Sequence, residues 1–172
     1  MYRMFYNSTL GVDHELNLWY VSKVVNMSNM FERSNFNGYI YAWDTSSVTN
    51  MSSMFSRAYS FNQSIANWNT SSVADMSYMF YSAYNFNQPV KDWDESSVTT
   101  MSYMFYSASD FNQPIANWNT SSVADMTGMF YNAYDFNQNI SSWCVSNITS
   151  PAQFSLNSPL SESNMPVWGT CD

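Results

Sequence analysis

Charge is scarce in this sequence: Asp, Glu, Lys and Arg make up 10% of 172 residues, with five Lys and Arg against thirteen Asp and Glu. A net charge of −8 leaves no basic patch, which argues against nucleic acid or an anionic membrane as a partner. Glycine occurs four times and histidine once, at His14, so there is neither a Gly-rich loop for a phosphate nor a His cluster for a metal, and no cofactor is expected. No apolar run approaches the roughly eighteen residues that a membrane-spanning helix needs, and no transmembrane segment is expected. Cysteine is limited to Cys144 and Cys171. With no second Cys pair or His beside them, these two are expected to form a structural disulfide, which places the chain in an oxidising compartment.

Catalysis lacks its parts. A nucleophile needs a base beside it, and His14 has only its chain neighbours Asp13 and Glu15, which cannot form a triad with it by themselves. Asp75 and Asp125 occupy equivalent places two repeats apart, about 10 Å by strand spacing, in surroundings with no evident reason to separate their pKa values. No enzyme activity is expected.

Aromatic residues, by contrast, reach 19%, and they recur in order. From Val48, Val73, Val98 and Val123 the chain repeats the frame V-[TA]-x-M-[ST]-x-M-F-x-x-A-x-x-F-N-Q-x-[IV]-x-x-W, with a looser copy from Val24. Met1, Met4, Phe5 and Trp19 repeat some of its apolar letters, so the sequence is expected to open within a coil. A unit this short cannot bury its own apolar face, and stacking on like neighbours solves that problem. The frame therefore predicts columns: Met51, Met76, Met101 and Met126; Phe55, Phe80, Phe105 and Phe130; Trp43, Trp68, Trp93, Trp118 and Trp143. A single domain over 1–172 follows, with a degenerate N-terminal coil at 1–23, repeats at 24–143 and a C-terminal cap at 144–172.

Within the unit from Val73, apolar residues at Val73, Met76, Met79, Phe80 and Ala83 have the spacing of one helical face. Ser72 with Asp75, and Ser122 with Asp125, read as capping boxes. The spacing predicts a short helix ending between Asn85 and Pro89, then an extended Val90–Trp93 segment pairing with its equivalents in a parallel ladder. Such a helix puts Tyr78 and Tyr81 outward, in register with Tyr103, Tyr106 and Tyr131, as a candidate binding surface. The recurring Asn and Gln columns, such as Asn62 and Gln63, are expected to serve the turns internally.

The frame from Val98 to Trp118, together with the closing segment Trp143-Cys144-Val145 through Trp168-Gly169-Thr170-Cys171, resembles the BspA-like leucine-rich-repeat surface proteins. The resemblance runs over roughly Val24 to Cys171. It implies an α/β solenoid: a leucine-rich-repeat-like right-handed coil of short helices and short parallel strands, about 25 residues per coil. It also implies a secreted or cell-surface location and adhesion to a protein or glycan on a cell or matrix. The family offers no universal binding residues to carry over.

Three functions are compatible with this reading. The first is a recognition module binding protein or glycan through the tyrosine face. The second is a subunit of a filament or coat made by coil-on-coil homo-assembly, which an opening within a coil favours and a disulfide-closed end opposes. The third is ice binding through the column of Thr45, Thr70 and Thr120, which Glu95 interrupts. Variation at Ala66, Asn67, Lys91, Asp92, Ala116 and Asn117 marks another face that a ligand could use.

Overall fold

Successive repeats lie one on another in register in the computed structural model, which describes residues 1–9 and 14–171. Phe80 stacks on Phe55 at 5.7 Å and on Phe105 at 5.5 Å between ring centroids, and Phe105 on Phe130 at 5.7 Å. Trp43, Trp68, Trp93, Trp118 and Trp143 are all buried, and their stacked neighbours lie within 5° of parallel. The predicted columns thus form one continuous core, with the methionines, both phenylalanines and the alanine of each unit withdrawn from solvent.

The expected helices and strands do not form. Among the described residues the only helical pieces are two 3-10 turns, His14–Leu18 and Glu162–Asn164, neither within the repeats. Parallel pairing is reduced to single bridges, Asn26 with Asn50, Asn50 with Asp75, Asp75 with Thr100 and Thr100 with Asp125. Those bridges sit just after the valine of each unit, not at Val90–Trp93. The α/β, leucine-rich-repeat-like architecture of short helices and parallel strands is therefore corrected to a stack of turns.

The hydrogen bonds show why. In the unit from Val73 the amides of Met79, Tyr81 and Ala83 donate within the coil, to the carbonyls of Met76, Tyr78 and Phe80. The amides between them, of Tyr78, Phe80 and Ser82, donate to the next coil, to Ser102, Met104 and Tyr106. A helix would keep all of these bonds to itself, so the coils would be joined by side chains alone. Alternating local and cross-coil bonds requires left-handed backbone at two places per unit, and Tyr78 and Ser82 have φ of 57° and 53°. Ser53 and Arg57 repeat the pattern, as do Tyr103 and Ser107. Short segments rich in Ser, Asn and Asp make marginal helices in any case, because those side chains compete for the backbone.

The predicted caps accordingly do other work. Asp75 accepts hydrogen bonds from the amide and hydroxyl of Ser77, closing a turn of its own, while the Ser72 hydroxyl donates to the Ser46 carbonyl one coil back. The Asn and Gln columns bond across coils: Asn62 Oδ1 accepts from the amide of Asn87 and from Gln88 Nε2. At the C-terminal end Cys144 and Cys171 are disulfide-bonded. The segment between them folds back on the last coil, where the Ile140 amide donates to the Asn164 carbonyl and Phe154 meets Trp168 edge-on at 4.9 Å.

Candidate recognition surface

Two tyrosine columns run along one side of the stack, one residue apart from the buried Met and Phe columns. Tyr78 stacks on Tyr103 at 4.8 Å, and Tyr81, Tyr106 and Tyr131 stack at 4.7 and 4.6 Å. All five residues singled out from the sequence are brought together, but by left-handed turns, not by a helix. Their exposure is modest: Tyr78 is 38% exposed and the other four are half-buried. Each ring rests at least one face on a tyrosine of the adjoining coil, and Tyr106 is stacked on both sides. Burial, followed by the charges of Tyr103, Tyr81 and Asp125, pushes the Tyr78 phenol above its ordinary pKa, and burial also raises Tyr106. These two phenols therefore stay protonated over the physiological range.

The columns stop differently at their two ends. Gly128 occupies the next position after Tyr103, and the Tyr103 ring lies directly on it. At the other end Ser53 and Ser56 stand where Tyr78 and Tyr81 stand one coil later. Two rings are thus missing, and the vacancy is an open cavity of about 310 Å³ lined by Glu32, Ser53, Ser56, Arg57, Tyr78 and Tyr81. The Arg57 guanidinium lies 5.5 Å from the centroid of Tyr81. Glu32, on the far side, accepts from Asn29 Nδ2 at 2.7 Å and pairs with Arg33 at 3.7 Å.

Sequence reasoning missed a further aromatic column, although its signal, an aromatic after the alanine of several units, was present. Tyr59 stacks on Tyr84 at 5.0 Å, Ser109 follows in register, and Tyr134 resumes the column; all three tyrosines are exposed. The variable positions Ala66, Asn67, Lys91, Asp92, Ala116 and Asn117 lie on exposed or partly exposed turns, not on strands.

The threonine column points inward. Thr45, Thr70 and Thr120 are buried, and their hydroxyls donate to the carbonyls of Asn69, Asp94 and Cys144 in the following coil. It is not a flat surface array. Glu95 fills the third place in the column, between Thr70 and Thr120, at 1% exposure, with Oε1 lacking any hydrogen-bond partner. Burial pushes its carboxyl up to about 8, against hydrogen bonds from its own amide and that of Asn119.

Of the remaining candidates, the side chains of Asp13, His14 and Glu15 lie outside the described residues. Among the described residues no group of three or more His, Cys, Asp or Glu is placed to hold a metal, and no helix is long and apolar enough to cross a membrane.

The family described as "Mycoplasma protein of unknown function, DUF285" matches residues 1–95 and again 67–168, overlapping spans that take in all of the repeats and most of the cap. Neither a curated protein nor a solved structure matches the chain.

Proposed function

The chain belongs to the DUF285 family of Mycoplasma proteins, and from that premise we propose that it is an exported recognition module that adheres to a protein or glycan partner through its tyrosine columns. The observation that carries this reading is the in-register stack of Tyr81, Tyr106 and Tyr131 at 4.6 to 4.7 Å on a molecule otherwise poor in charge. Stacked phenols offer rigid contact area at a small cost in conformational entropy, with a row of hydroxyls for polar contacts. The disulfide supports an oxidising location outside the cytosol. The likeness of the repeat frame to BspA-like surface proteins supports adhesion at a cell surface in the same way, as a likeness of sequence and not of secondary structure.

The test is a triple substitution, Tyr81→Ala, Tyr106→Ala and Tyr131→Ala, assayed for binding to immobilised matrix proteins, whole cells and a glycan array. Loss of binding with near-UV circular dichroism from the buried tryptophans unchanged is the expected result. Retained binding by the folded variant eliminates this surface.

A further inference from the structure

The vacancy at Ser53 and Ser56 has the shape and chemistry of a binding site, and we propose that it accepts a single neutral pyranose ring of a glycan. This rests on the recognition reading above and adds to it the place and class of the ligand.

The shape follows from the repeat. Coils stack at the spacing of one aromatic ring, as the 4.6 to 4.8 Å separations of the tyrosine columns show. Replacing two tyrosines by serines in one coil removes one ring's thickness from each column and leaves the floor and far wall in place. The floor is Tyr78 and Tyr81, whose faces toward this coil carry no stacked ring; the far wall is Glu32, one coil further back. At about 310 Å³ the cavity is near the lower end of the range of about 300–1,000 Å³ for small-molecule sites, room for one ring and not for a chain of them. The other end of the Tyr78–Tyr103 column leaves no such gap, because Tyr103 rests directly on Gly128, so the ring-sized opening lies on the Ser53 side.

The chemistry selects the ring. A pyranose has a C–H face that stacks on an aromatic plane and a rim of hydroxyls that both donate and accept. The cavity offers the aromatic planes of Tyr78 and Tyr81, the hydroxyls of Ser53 and Ser56, a guanidinium from Arg57 and a carboxylate from Glu32. A phenyl or indole side chain would satisfy the floor and leave most of that rim without partners. An anionic group would meet Arg57 but also Glu32, and a cation the reverse, so a neutral polyol matches both. Tyr81 is already engaged on this side by Arg57, which leaves Tyr78 as the main stacking plane.

The test compares the intact protein with the double variant Ser53→Tyr and Ser56→Tyr, which restores the side chains that two following coils carry and so suits the fold. Saturation-transfer NMR is run against millimolar methyl glucoside, methyl galactoside, methyl mannoside and N-acetylglucosamine, with N-acetyltyrosine amide as the aromatic competitor. Expected are transfer to at least one pyranoside from the intact protein and a loss of at least roughly tenfold in affinity in the filled variant. Transfer to no pyranoside, undiminished binding by the filled variant, or preference for the tyrosine amide overturns the proposal. Tyr131→Ala, two coils beyond the cavity's floor at Tyr81, separates the two readings: loss of adhesion with pyranoside binding intact upholds the slot and confines the partner contact to the columns. Adhesion that survives in the filled variant while pyranoside binding was never seen removes the slot alone.

Discussion

Tyr103 lies on Gly128. A Cβ built on the glycine would fall 2.8 Å from both Cδ1 and Cε1 of the ring, closer than carbon atoms approach without displacement. The glycine is there for this contact more than for its backbone, since Ser53, Tyr78 and Tyr103 hold equivalent positions at φ of 55° to 57° without being glycine. Gly128→Ala adds the steric conflict to a left-handed cost of about 1–2 kcal/mol. We expect a total destabilisation of about 2–3 kcal/mol by urea denaturation, falling to the backbone cost alone when Tyr103→Ala is present. Equal effects in the two backgrounds would show that the ring yields freely.

Glu95 gives the fold a pH dependence. In the unfolded chain its carboxyl loses its proton near the ordinary value of 4.5, whereas in the fold burial holds it to about 8. The folded state therefore binds more protons between these values, so stability is complete below 4.5, declines as pH rises and reaches its floor above about 8. A shift of this size corresponds to something of order 3–5 kcal/mol. Glu95→Thr reproduces the residue of Thr45, Thr70 and Thr120, whose hydroxyls each reach the next coil. Its urea midpoint should be nearly the same at about pH 5 and about pH 9 while the parent loses stability over that range. A parent as stable at the higher pH as at the lower would place the carboxyl in contact with water.

The Cys144–Cys171 bridge closes a loop with a sequence separation of 27 over the exposed end of the stack. Inside it the Val145 amide donates to the Thr170 carbonyl, and the Gly169 amide reaches the carbonyls of Val145 and Ile148. The chain-entropy relation gives about 3.5 kcal/mol for such a loop. Reduction, or Cys144→Ser with Cys171→Ser, should lower stability by about 3 kcal/mol and speed amide exchange first in the cap and last coil. Uniform acceleration along the whole stack would mean that the coils unfold as one cooperative unit.

The columns were legible because a side chain that recurs every 25 residues or so can only be answered by its own copies. Their secondary structure was not. Buried residues at Val73, Met76, Met79, Phe80 and Ala83 have helical spacing, and consecutive three-residue turns place the same residues on the same side. The turns needed left-handed backbone at Tyr78 and Ser82, and neither carried the glycine that would have announced it. Glu95 was visible as an interruption of the threonine column, but sequence placed that column on a surface, and only the fold shows that the hydroxyls are spent on carbonyls inside. Ser53 and Ser56 carry no signal of their own in the sequence, and only stacking turns two small residues in a tyrosine register into a cavity.

Trp118 tests whether the stack behaves as a row of nearest-neighbour contacts. Its ring lies between Trp93 at 6.5 Å and Trp143 at 6.1 Å, and its Nε1 donates to the Val90 carbonyl at 3.0 Å. Phenylalanine at this position removes the donor, leaves a buried carbonyl without it and opens a void, which together cost about 2–4 kcal/mol. Trp43 makes the same kind of bond, to the Leu16 carbonyl at 2.6 Å, but stacks on a tryptophan on one side only, Trp68 at 6.2 Å. In a one-dimensional array a lesion at Trp118 weakens two tryptophan stacks and one at Trp43 a single stack, its other neighbour being the N-terminal coil reached through Leu16. Trp118→Phe should therefore destabilise more than Trp43→Phe and broaden the unfolding transition, because it divides the remaining coils into two blocks. Equal losses from the two substitutions, each with a sharp single transition, would show that stability is shared over the whole core instead of passing from coil to coil.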